Sequence, residues 1–168
     1  SVGGTVDSLG VVVTGVGSMI TSSGADVSVS GVGGEVLAAG SSGTRNYGVF
    51  VNSGGVISAG GDGLVVVNGT GGTVNGSGDQ NYGVYVLGTG SQITSSGGDV
   101  QVTGHGGDVS SFLNTNYGVF VANGGVISAG GTGTVTVDGT GGSGNSSVSS
   151  SSGVFVTGTG SQITSAGG

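Results

Sequence analysis

Cysteine, proline, tryptophan and lysine are all missing from this 168-residue chain, and Arg45 is its one permanently cationic side chain. Without cysteine there are no disulfide staples and no thiolate metal sites. Nucleic-acid binding needs clustered Lys and Arg to displace phosphate counterions, so Arg45 alone excludes it. No apolar run approaches the roughly 18 residues of a membrane-spanning helix, which argues against membrane insertion. No segment has the basic-then-apolar layout of a signal peptide. The chain opens on Ser1 rather than Met, which points to a processed product or a piece of a longer chain.

What is present is narrow. Gly, Val and Ser supply 45, 30 and 27 residues, and eight acids against one base give a formal net charge of −7. Gly and Ser at this level suggest a flexible linker, but disordered chains combine low hydrophobicity with high charge. Here 33% of residues are hydrophobic and 5% charged, and β-branched Val and Ile dominate the apolar set. That composition favours strands joined by glycine turns.

Internal repetition decides the architecture. NYGVFV at 46–51 returns as NYGVYV at 81–86 and NYGVFV at 116–121, and SGVFV at 152–156 is a fourth copy without its Asn-Tyr. The spacing is 35 residues, as Gly48, Gly83, Gly118 and Gly153 show. The units run 10–47, 48–82, 83–117 and 118–152, with a partial one at 153–168, in a single repeat domain over 1–168. Alternate copies differ: TGVGSMITSSG, LGTGSQITSSG and TGTGSQITSAG in one set, NSGGVISAGG and ANGGVISAGG in the other.

A finer period lies inside. Val-x-Val triplets begin at Val11, Val27, Val49, Val65, Val84, Val100, Val119, Val135 and Val154, mostly in steps of 16 and 19. Period-two alternation turns both valines to one side. Glycine recurs too often for a helix to propagate. Stacked coils explain why the same residue types return at the same phase, which a sandwich of hairpins does not. The expectation is an all-β parallel β-helix, a β-solenoid of about nine turns alternating 16 and 19 residues, with a 35-residue double-turn repeat. Its core ladder would hold Val49, Val51, Val65, Val67, Val84, Val86, Val100, Val102, Val119, Val121, Val135, Val137, Val154 and Val156, joined by Ile57, Ile93, Ile127 and Ile163.

The recurring GVYV-x-GTGSQITSSGG-x-V-x-VTG pattern resembles the β-helical arrays of large bacterial surface proteins, the filamentous-haemagglutinin-like adhesins and autotransporter passenger domains. The resemblance covers nearly the whole chain and rests on structural motifs. It implies a right-handed coil, secretion to the extracellular space or cell surface, and a role in adhesion or surface layers.

Candidate sites follow from the turns. The middle residues of the triplets should face outward, which puts Phe50, Tyr85, Phe120 and Phe155 in a ladder at every second turn, a surface for lateral contact or for binding. Asn46, Tyr47, Asn81, Tyr82, Asn116 and Tyr117 should form a corner stack, with Asn adopting positive φ or bonding the turn. The connections at 35–47, 73–82, 108–117 and 143–152 vary most and would line one edge.

Catalysis is not expected. Asp26 shares a phase with Asp99 and Glu35 with Asp108, four turns apart on this reading and about 19 Å distant, too far for a carboxylate pair. His105 reads as an exposed turn residue. No metal site is expected, because 60–67 lacks the second Asp of a calcium-binding nonapeptide and 130–137 has no acid. The Asn-x-Ser/Thr matches at Asn68, Asn75 and Asn145 are those chance supplies in so serine-rich a chain. No cofactor is implied. The functional expectation is a non-enzymatic extracellular rod, in a surface adhesin or self-assembling filament, partnered by itself or by the continuation of a longer array. An adhesin module recognising glycan or another surface, and ice binding, are the alternatives.

Overall fold

The computed structural model describes residues 7–110, 115–144 and 151–166, and the backbone alone at 38–42 and 77. Its first coil carries β1 (Val11–Thr14), β2 (Met19–Ser22), β3 (Val27–Val32) and β4 (Val36–Ser42). The second carries β5 (Val49–Asn52), β6 (Val56–Ala59), β7 (Val65–Thr70) and β8 (Val74–Ser77). In the third and fourth, β9 (Val84–Leu87), β10 (Gln92–Ser95) and β11 (Val100–His105) are followed by β12 (Val119–Ala122), β13 (Val126–Ala129) and β14 (Val135–Thr140). β15 (Val154–Thr157) and β16 (Gln162–Ser165) begin a fifth. Sheet A stacks β1, β5, β9, β12 and β15; sheet B stacks β2, β6, β10, β13 and β16; sheet C stacks β3, β7, β11 and β14. Sheet D pairs β4 with β8 and continues as single bridges from Val74 to Val109 to Gly144. All pairing between these strands is parallel. The chain is a β-solenoid.

The expected turn count is corrected. Val49 pairs with Val84 and Val84 with Val119, each a full 35 residues on, so one coil is the whole unit and there are about four coils, not nine. Steps of 16 and 19 carry the chain from sheet A to sheet C and back within a coil. The error is physical: Val-x-Val marks two faces of the same coil, and strand identity cannot tell a face from a rung. From the first to the fifth strand of sheet A the stack is roughly 19 Å long.

Each coil closes around a triangular core. In the second coil Val49 and Val51 come from sheet A, Ile57 and Ala59 from sheet B, Val65 and Val67 from sheet C, and none is accessible. Equivalent sites in the third coil are Val84, Val86, Ile93, Val100 and Val102, and in the fourth Val119, Val121 and Ile127, all buried. Every such Val or Ile contributes roughly 1.5–3 kcal/mol. Val135, Val137 and Ile163 are only partly buried against this core. Val154 and Val156 depart from expectation, with 38% and 41% of their surface exposed. They keep register with Val119 and Val121, but no sheet C strand faces β15 among the described residues.

Glycine draws sheet C against the start of sheet A. A Cβ on Gly104 would lie 2.1 Å from the Gly118 carbonyl oxygen, and one on Gly69 or Gly139 would lie equally close to Gly83 O or Gly153 O. No other residue permits that approach. Beyond this neck the coil is tied by Gly72 N–H to Asn46 O at 2.9 Å and Gly107 N–H to Asn81 O at 2.7 Å. A lobe lies past the neck, where Val74 and Val109 stack outside the triangular core.

Candidate functional site

The outward positions of sheet A and the residues entering it form two parallel columns of rings. Phe50 stacks on Tyr85 at 5.1 Å, Tyr85 on Phe120 at 4.8 Å and Phe120 on Phe155 at 5.5 Å. Beside them Tyr47 stacks on Tyr82 at 5.2 Å and Tyr82 on Tyr117 at 5.4 Å. The columns meet edge to face, Tyr82 lying 80° to Tyr85. The aromatic ladder thus occupies every coil from the second to the fifth rather than every second turn, because the turn is the 35-residue unit. Ring faces are turned toward one another, and what reaches solvent is a ridge of ring edges.

Tyr47 and Tyr82 are almost wholly buried while Phe50, Tyr85 and Phe120 are half-buried. Burial holds the Tyr47 and Tyr82 phenols well above their ordinary range, and neighbouring phenols add to it. Burial also raises Tyr85. A hydrogen bond from the Thr115 side chain partly offsets the shift at Tyr82.

At the mouth of the neck Asn46, Asn81 and Asn116 are fully buried. Asn46 donates from Nδ2 to Asn81 Oδ1 at 2.8 Å, and Asn81 N–H donates to Asn116 Oδ1 at 2.9 Å. Positive φ falls on the preceding residues, Arg45 and Gln80, not on the asparagines. Asn81 Nδ2 and Asn116 Nδ2 have no hydrogen-bond partner among the described residues.

The two sequence variants of the coil interlock. In the second and fourth coils the sheet A to B corner is a tight turn with positive φ at Ser53 and Gly54, and at Asn123 and Gly124. Gly54 N–H donates to Ser91 Oγ and Gly124 N–H to Ser161 Oγ, each 3.1 Å and each from the coil before. At the next corner Leu64 N–H donates to Asp26 Oδ1 at 2.8 Å and Thr134 N–H to Asp99 Oδ1 at 2.8 Å, now from the coil after. Coils of one kind supply side-chain acceptors to the other on both sides. Nothing in composition or periodicity flagged these acceptors. The signal was the alternation itself, since GTGSQITSSGGD carries Ser and Asp where ANGGVISAGGTG does not.

The acids do not converge. Asp26 and Asp99 are two coils apart, about 10 Å rather than 19 Å, since Val27 pairs with Val65 and Val65 with Val100. Glu35 and Asp108 stand likewise two coils apart, flanking Val36, Val74 and Val109. Asp108 Oδ1 accepts from Ser143 N–H and Oγ, both at 2.7 Å. Arg45 pairs with Asp7 at 2.7 Å on the surface. His105 is exposed at the end of β11, between Thr70 and Thr140. No group of three or more His, Asp or Glu gathers to hold a metal among the described residues. In the variable connections, 111–114 and 145–150 lie outside the described residues, as do 1–6.

No protein-family model matches the chain, and neither a curated protein nor a solved structure matches it.

Proposed function

We propose that this chain is a non-enzymatic structural element, a β-solenoid rod of a bacterial surface adhesin or filament, exported to the cell surface or beyond. The coil is read as right-handed, the hand that crossovers between parallel strands prefer. One observation carries the reading. Side chains able to do chemistry lie in register from coil to coil and bond the coil above or below: Asn46 to Asn81, Ser91 to Gly54, Asp99 to Thr134. Stacked rings support a structural over a glycan-binding role, because sugars pack on ring faces and these faces cover one another. Among the described residues a trypsin-like protease has one target, Arg45, which is held by Asp7.

The test is immunolabelling of intact source cells with antibody against the folded chain, paired with imaging of the native assembly. Surface labelling on elongated particles is the expected result. Labelling only after permeabilisation, or a compact soluble particle, overturns the proposal.

A further inference from the structure

Charge is confined to one side of the coil. Asp26, Asp62 and Asp99 lie at the corners leading into sheet C, and His105 and Asp138 in sheet C itself. Asp7, Glu35, Arg45, Asp79 and Asp108 lie along the lobe beyond it. The ten strands of sheets A and B, and every corner joining A to B, contain no Asp, Glu, Arg or His. Within this neutral strip sheet A is the apolar part, presenting Val12, Phe50, Tyr85, Leu87, Phe120 and Phe155 outward.

We propose that the outer face of sheet A docks against the same face of a second copy of this chain. The inference rests on the rod reading and names the side on which rods meet. Three features select a second copy. A net charge of −7 repels like molecules from every side but the neutral strip of sheets A and B, and sheet A is its apolar part. A ridge of ring edges repeating at the strand spacing meets its own spacing and its own apolar chemistry in a second copy. The face has little to offer a polar ligand, since its ring faces are closed and its polar side chains, Thr14, Asn52 and Thr157, are confined to one edge.

Area sets the strength. Five strands of four residues cover roughly 300 Å², against about 800 Å² per partner in stable complexes. Pairing is therefore weak for a chain of this length and strengthens with each added coil.

The cysteine-free sequence makes the test direct. β9 is the middle strand of sheet A, so it meets itself whether the two rods run parallel or antiparallel. Leu87→Cys places a thiol on this face, and Gln101→Cys places one on sheet C of the same coil. Under mild oxidation at high protein concentration, Leu87→Cys is expected to form disulfide dimer at least tenfold faster than Gln101→Cys. Equal rates, or a faster Gln101→Cys, overturn the proposal. Sedimentation of the unaltered chain needs no variant: mass should rise toward dimer with concentration, and further with added salt, which screens the acidic sides. A monomer under all these conditions overturns it too. Cell-surface labelling reads the rod proposal independently, so failure of one is distinguishable from failure of the other.

Discussion

Asp99 and Thr134 sit one coil apart, and a single carboxylate oxygen of Asp99 accepts both the backbone N–H and the side-chain hydroxyl of Thr134, at 2.8 and 2.9 Å. Thr134 lies just ahead of β14, where the corner of the fourth coil is one residue longer than that of the third: Ile127 to Val135 spans one position more than Ile93 to Val100. The added residue needs an acceptor outside the strand ladder, and Asp99 is that acceptor. The sheet A to B corner is one residue shorter in the same coil, so the distance from Val121 to Val135 equals that from Val86 to Val100. A residue has moved from one corner to the other, and the neighbouring coils carry Ser161 and Asp99 to match.

Two hydrogen bonds to the ionised form hold the Asp99 carboxyl below its ordinary value of 3.8. A carboxylate with a depressed folded-state pKa contributes stability that is complete above the unfolded value and lost as pH falls through the folded one. The melting temperature should therefore be level down to about pH 4 and then decline. Asp99→Asn retains an oxygen acceptor but cannot titrate, so its acid decline should be shallower than the parent's. Thermal melts of both proteins between pH 7 and 2, monitored by circular dichroism, check this; superimposable acid limbs would remove Asp99 from the account.

The chain made its fold class and its 35-residue repeat readable and hid how many turns that repeat makes. Val49-x-Val51 and its copies are strands by alternation alone, and their fixed phase requires stacking. The third side of the triangle shows in sequence only as single apolar residues, Ile57 and Ile93, because the second inward position of VISA and QITS is Ala59 or Ser95 and no pair of β-branched residues marks the strand. With sheet B unrecognised, sheets A and C stood as successive turns, and the count doubled. The aromatic and Asn columns were visible because identical side chains recur at 35 residues. The glycine neck was not, since a glycine needed for close approach looks in sequence like one needed for a turn.

That neck gives a second prediction. Gly104→Ala would drive a Cβ to 2.1 Å from a backbone oxygen, Gly118 O, and no rotamer change relieves a backbone clash. The neck must open, at a cost of about 3 kcal/mol or more. Gln101→Ala, outward on the same strand, should change stability by about 0.5 kcal/mol or less. Urea denaturation of both variants measures the difference; equal midpoints would mean the neck is not closed in solution.

Core position should matter more than residue type. Ile93→Ala removes a fully buried side chain and leaves a cavity, costing about 2–5 kcal/mol. Val154→Ala, though in the same repeating pattern, removes methyls from a side chain 38% exposed and should cost about 1 kcal/mol or less. Denaturant midpoints again decide, and comparable losses would place Val154 inside a closed core.

The tyrosine column predicts the alkaline limit. Burial, first, and neighbouring phenols, second, raise Tyr47 above its ordinary value of 10.0, and burial raises Tyr82 and Tyr85 in the same direction. Raised folded-state values mean the unfolded chain ionises first. Their contribution is complete below about pH 10 and is lost as pH climbs through the folded values. Phenolate absorbance of the folded protein should therefore lag behind that of the urea-unfolded chain, the missing phenols appearing together with loss of the β-sheet signal. Tyr47→Phe keeps the ring stacked on Tyr82 and removes one ionisable group, so it should carry the alkaline melting point to higher pH. If every phenol titrates at its ordinary value while the sheet signal holds, the stacked column is open to water and burial does not raise its phenols.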